Sequence, residues 1–164
     1  FRHSMIVGGM PQAVATFLET NNFTKVDTIK RDILTLYEND FMKFDSTGKI
    51  SRIFDFIPAE LQKNASRYQV SSVLENDRAS NMLEKINKLV DSKTVNIAYH
   101  ANNPETGLSQ YINFEKFKLF LCDTGLFVSL CFKDKDFTDN IIYEKLLLDK
   151  SSVNLGYVYV NVIF

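Results

Sequence analysis

The sequence predicts a mainly α-helical chain with a small β-wing, an α+β fold in which an N-terminal helical bundle precedes a winged helix-turn-helix. Three observations carry this expectation. Apolar residues recur at helical spacing between Pro11 and Ile57. One amphipathic stretch over 77–92 follows, with Met82, Leu83, Ile86, Leu89 and Val90 on a common face. Two alternating, β-branched stretches then complete the pattern, "TVNIAYHA" at 94–101 and "INFEKFKLFLCD" at 112–123, joined by the turn-rich "NNPETG" at 102–107. Helix, strand, loop and returning strand, preceded by shorter helices, is the order of a winged helix-turn-helix.

Each element has a local reason. Pro11 suits the first position of a helix, where its missing N–H costs nothing, and Val14, Phe17 and Leu18 continue that helix to "NN" at 21–22. "TKVD" at 24–27 has the form of a capping box, with Thr24 as cap and Asp27 reaching back. Ile29, Ile33, Leu34, Tyr37 and Phe41 then form one stripe to about Met42, and "DSTG" at 45–48 is a turn. Ile50, Ile53, Phe54 and Ile57 mark a third helix that Pro58 must end or restart. Asn76 or Asp77 is placed to cap the helix over 77–92, and Thr138 to cap a last helix, "DNIIYEKLLLDK". The closing "NLGYVYVNVIF" alternates like a strand. The expected organisation is a helical lid-like bundle over 1–62, a winged helix-turn-helix over 63–135, and a helix with the start of a further domain over 136–164.

Composition narrows the function classes. The 164 residues are 45% hydrophobic and 24% charged, ordinary for a globular chain, and a net charge of -1 supplies no overall field for nucleic acid or an acidic membrane. Cys122 and Cys131 are too few for a disulfide framework and point to a reducing compartment. The opening "FRHSMIV" lacks a signal peptide's apolar region, and no uncharged run approaches the ~20 residues that span a bilayer. The expected location is cytoplasmic.

Catalytic constellations are missing from the sequence. "STGKI" at 46–50 lacks the upstream glycine of a phosphate loop and has Ile50 where a magnesium-binding hydroxyl belongs. His3 and His100 have no cysteines or carboxylates at metal-ligand spacing, so neither a metal site nor catalytic residues are assigned. Two binding candidates remain. "VGGMPQAV" at 7–14 is either a turn that starts a helix cleanly or a bare backbone laid against a flat ligand, with Gly8, Gly9 and Pro11 as its contacts. On the helix over 77–92, Asn81 could read a base edge while Lys85 and Lys88 contact phosphates, with Lys116 and Lys118 beside the wing. Glu84 and Asp91 dilute that charge, and an ordinary solvated face accounts for the same pattern.

Several ordered stretches, "GGMPQAV", "ILTLYENDFMKF", "IFDFIPAELQ", "FKLFLCDTGL" and "NLGYVYVN", resemble the domain of unknown function 4143 family attached to AAA-type ATP-binding proteins of bacteria and archaea. The resemblance implies that the chain is a piece of a larger protein, with a P-loop ATPase module before it and a nuclease-like domain after it. It implies ATP or ADP with magnesium as the parent's cofactor, none held by this piece alone. A Gly-x-Pro signature that touches nucleotide would fall on Gly9 and Pro11, with Gly8 beside it, and the tail would start a helix. The sequence departs from that family at Val160, which stands where glutamate usually precedes the residue matched by Asn161; that puts nuclease activity in doubt. Two functions follow as expectations. One is a non-catalytic regulatory region coupling nucleotide state to a winged-helix surface. The other is a winged-helix module holding protein, or weakly DNA, irrespective of nucleotide.

Overall fold

The computed structural model describes residues 2–75, 77–101, 112–135, 140–148 and 156–163. Among them run helices α1 (Arg2–Val7), α2 (Pro11–Thr20), α3 (Phe23–Phe44), α4 (Lys49–Asp55), α5 (Ile57–Gln62), α6 (Val70–Val73) and α7 (Ala79–Asp91). Strands β1 (Val95–Ala101) and β2 (Ile112–Leu121) follow, then α8 (Thr124–Cys131), α9 (Asn140–Leu148) and α10 (Gly156–Ile163). The described residues are mainly helical with one small antiparallel sheet, as the α+β expectation had it. The chain divides into two compact units: Phe1–Asp40 with Asp123–Ile163, and Phe41–Cys122. This differs from the linear division at 62 and 135, because the first unit is assembled from both ends of the chain.

In the first unit, Pro11 opens α2 and Asn21 closes it in the left-handed region at φ 47°, donating its N–H to the Phe17 carbonyl. The next residue corrects the expected capping box. Asn22 Oδ1 accepts from the Thr24 and Lys25 N–H groups at 2.9 and 3.2 Å, so Asn22 caps α3, and Asp27 turns inward. The deepest line of α3 within this unit is Val26, Asp27, Lys30 and Leu34, while Ile29, Ile33 and Tyr37 are half-buried. Helix α8 is apolar nearly all round and buried from Gly125 to Leu130, with α1 and α10 packed on it. Asp123 caps it by accepting from the Leu126 N–H at 2.8 Å. The tail is a helix, not the strand its alternation suggests: Val158 and Asn161, three apart, are buried, and Ile163 is exposed.

In the second unit, Asp45 accepts from the Ile50 N–H at 2.8 Å and so starts α4, with Gly48 supplying the positive φ of the turn. The chain restarts as α5 with Pro58 in its first turn. Phe41, Ile50, Ile53, Phe54 and Ile57 are buried there, and the Phe41 and Phe54 rings meet edge-on at 5.1 Å. Met82, Ile86 and Leu89 of α7 are buried as its periodicity requires. Strands β1 and β2 pair from Val95↔Leu121 to Tyr99↔Phe117, then shift register so that His100 faces Asn113. Ahead of α6 the Tyr68 N–H donates to the Phe117 carbonyl at 2.7 Å, and the Tyr68 hydroxyl donates to the Ile53 carbonyl.

Candidate interaction site

The opening turn is closed by the chain's own residues. Gly8 sits at φ +83°, and a Cβ there would lie 2.4 Å from Asp123 Oδ1 and 2.9 Å from the Gly125 Cα. A Cβ on Gly125 would lie 2.3 Å from the Val7 carbonyl oxygen, so the two glycines let main chain lie directly on main chain. The Gly9 N–H donates to Asp123 Oδ2 at 2.6 Å, and Pro11 is exposed at the start of α2. The close approach expected against a flat ligand at Gly8 is thus made by Asp123 and Gly125.

Deeper in the same unit lies a polar network that periodicity alone does not reveal. Asp27 is fully buried; its Oδ1 accepts from the Ser129 hydroxyl at 2.6 Å and the Tyr143 hydroxyl at 2.7 Å, and its Oδ2 from Arg31 Nε at 2.7 Å. Lys30, also fully buried, donates to the Ile6 carbonyl at 2.9 Å and to the Tyr143 hydroxyl at 3.1 Å. Burial pulls its ammonium down to about 8, against the opposing influence of Asp27 and Asp123. Arg31 extends the network to the end of α8 by donating to the Phe132 and Lys135 carbonyls at 2.9 and 2.7 Å. Every one of these groups is spent on another group of the protein.

The residues proposed to read DNA are in the second unit, and only some are open. Asn81 is exposed on α7, and Lys116 is exposed on β2 with Lys118 half-buried. Lys85 instead donates to Asp45 Oδ1 at 2.7 Å and to the Thr47 hydroxyl at 3.2 Å, and Lys88 pairs with Glu84 at 3.1 Å. Burial pushes the Asp45 carboxyl up, but hydrogen bonds from Lys85, Thr47 and the Ile50 N–H outweigh it and hold the group well below the ordinary carboxylate range. Lys85 therefore secures the start of α4 rather than projecting from α7.

Beside these residues a polar cleft of about 470 Å³ opens at the start of α7. Arg67, Gln69, Ser71, Arg78, Ser80 and Glu115 line it. The side chains of Arg67 and Arg78 have no hydrogen-bond or ion-pair partner among the described residues. Arg78, not Asp77, occupies the N-cap of α7, and Asn76 lies outside the described residues; the Arg78 side chain makes no capping bond, and the first turn holds no acidic residue. Asp77 is drawn away to Lys49 at 2.8 Å. Arginine in the place where Ser, Thr, Asp or Asn is preferred was the available signal for this cleft.

Fold and site together define a mainly helical α+β chain with a polar cleft, with no cluster of metal-ligating side chains among the described residues. No described helix is long and apolar enough to cross a membrane. Residues 1–137 match the model of the family described as Domain of unknown function (DUF8612), and the chain belongs to that family. No curated protein and no solved structure matches it significantly. The family match overturns the resemblance to the domain of unknown function 4143 family of AAA-type proteins, and nothing shows an ATPase context. The nucleotide contacts at Gly8, Gly9 and Pro11, the ATPase module and the nuclease-like domain were implied by that resemblance and lose that basis.

Proposed function

We propose that residues 41–122 are a winged-helix interaction module, and that the chain is a non-catalytic, cytoplasmic binding protein whose partner is another protein. Support for the module comes from the order of its parts: α4 with α5, a connecting segment at Tyr68, the pair α6 and α7, then β1 and β2 as a wing. The observation that carries it is the 2.7 Å bond from the Tyr68 N–H to the Phe117 carbonyl. It ties the chain before α6 to β2, which fits a winged helix whose first short strand would lie there. Amide hydrogen exchange tests it: the Tyr68 amide should be protected to the same degree as amides within β2, and fast exchange at Tyr68 would contradict it.

The preference for protein over duplex DNA is electrostatic. Lys85 and Lys88 are engaged with Asp45 and Glu84; the described cations of the module without an ion pair include Lys93, Lys116, Lys118 and the two arginines of the cleft, with Glu84, Asp91 and Glu115 among them in sequence. Each phosphate neutralised steepens the salt dependence by about 0.9; with those acids among the cations, about two or three contacts are expected, and a log–log slope no steeper than about -3. Weak, salt-sensitive anisotropy changes with a labelled duplex are expected. Submicromolar affinity at physiological salt with a slope of about -6 or steeper would make DNA the partner.

A further inference from the structure

We infer that the cleft at the start of α7 is an anion site that takes a single phosphoryl group carried on a peptide side chain. Charge is the first argument. The N-terminal end of α7 carries the positive pole of its helix dipole, a place that favours acidic groups, yet the residue there is Arg78 and no acidic residue follows in the first turn. Arg67 brings a second guanidinium to the same cleft, and neither has a partner among the described residues. Two exposed, unpartnered guanidiniums share a cleft with the positive end of α7, and an anion bound there meets all three.

The donors decide which anion. Two guanidinium forks with the Ser71 and Ser80 hydroxyls offer more N–H and O–H groups than the two oxygens of a carboxylate use, and they suit the three terminal oxygens of a phosphomonoester. The cleft volume of about 470 Å³ leaves room for the bearing side chain and its backbone. Glu115 decides the source. On the cleft wall its carboxylate repels the row of charges of a nucleic-acid strand but accepts hydrogen bonds from the N–H groups of an otherwise neutral peptide. The assignment of a peptide rests on the protein-binding role proposed above; the anion site rests on the cleft alone.

The full chain, labelled with nitrogen-15, is titrated separately with inorganic phosphate, with N-acetyl-phosphoserine methylamide, with the unphosphorylated compound, and with a short DNA duplex. Amide signals of Ala79, Ser80 and Ser71 should move with phosphate and move at lower concentration with the phosphoserine compound, while the unphosphorylated compound leaves them in place. Arg67→Gln and Arg78→Gln should each weaken that response about tenfold, the loss of one charge-assisted hydrogen bond, and Lys25→Gln on exposed α3 should not. A response to phosphate with no gain from the phosphoserine compound would overturn the peptide source and leave the anion site. Tighter binding of the duplex at the same amides would overturn both the peptide source and the protein-partner role. No movement with any of the four, or movement unaffected by both arginine variants, would overturn the site while the winged-helix reading stands or falls on the Tyr68 amide.

Discussion

The two compact units treat charge in opposite ways. In the first, a carboxylate, an ammonium and a phenol (Asp27, Lys30 and Tyr143) are enclosed together and bonded to one another or to main chain. In the second, the buried acids Asp45 and Glu60 stand at helix ends and are met by lysines that remain partly exposed, while Arg67 and Arg78 face an open cleft. The difference separates two uses of polar residues. An enclosed network fixes how elements pack, because leaving any member unpaired exposes the rest to the full cost of desolvation. Open cations without a hydrogen-bond or ion-pair partner do not fix how elements pack through their charge and are available to a ligand.

The largest expected effect lies in the enclosed network. Asp27→Ala strands the Tyr143 and Ser129 hydroxyls and the Arg31 guanidinium, and should lower stability by about 3–5 kcal/mol in urea unfolding. A loss below about 1 kcal/mol would mean that the network does not organise its unit.

Lys30 gives the next effect, and its sign follows from burial. Below about pH 8 the amine is protonated both folded and unfolded, and its burial cost is present in full. Between about 8 and its ordinary value of 10.5 the folded chain releases the proton first, so the unfolded state binds more protons and stability rises with pH. The rise is worth up to about 3 kcal/mol and should vanish in Lys30→Met. Tyr68, whose hydroxyl is pushed up by burial and by Glu60 and Asp55, acts oppositely above about pH 10. The window to measure is therefore pH 8 to 9.5, as the difference between the two proteins. A slope that survives Lys30→Met would assign the effect elsewhere.

Smaller effects sharpen the comparison. Gly8→Ala places a Cβ against Asp123 and Gly125 at φ +83° and should cost about 1–3 kcal/mol, whereas Gly9→Ala should stay within about 0.5 kcal/mol. In the second unit Lys85→Met removes the partner of Asp45 and should cost about 1 kcal/mol. Because that carboxylate is held below its ordinary range, its contribution is present at neutral pH and lost as the solution is acidified below about pH 4. Lys88→Ala, with both partners of its ion pair exposed, should change thermal stability little.

What could be read from the sequence follows from how each element declares itself. Helices α2, α3 and α7 are long and one-faced, and β1 and β2 alternate; their periods are visible without neighbours. Helix α8 is apolar nearly all round, so period cannot distinguish it from a buried strand, and α1 and α6, of 6 and 4 residues, are too short to show one. Alternation in "GYVYVNVI" imitates a strand, and packing against α8 made it helical. Asp27 and Lys30 escaped because a pattern reading puts charged residues outside, and only the partners on α8 and α9 make an inside position tolerable. None of Asn81, Lys85, Lys88, Lys116 and Lys118 lines the cleft; the Lys88–Glu84 pair is local to α7, whereas the tie of Lys85 to Asp45 and the joining of Arg67 to Arg78 depend on neighbours that the helical period does not connect.

The central claim is that Arg78 serves a ligand and not the fold, and Arg78→Ser tests it in one sample. Serine at the N-cap of α7 can satisfy an N–H that arginine leaves without a side-chain acceptor, and it removes a cation from the positive end of the helix. The unfolding free energy should rise by about 0.5–1.5 kcal/mol while the amide response to phosphate falls about tenfold. A loss of stability in Arg78→Ser, with the phosphate response unchanged, would show that the arginine holds the fold together and that the cleft binds nothing through it.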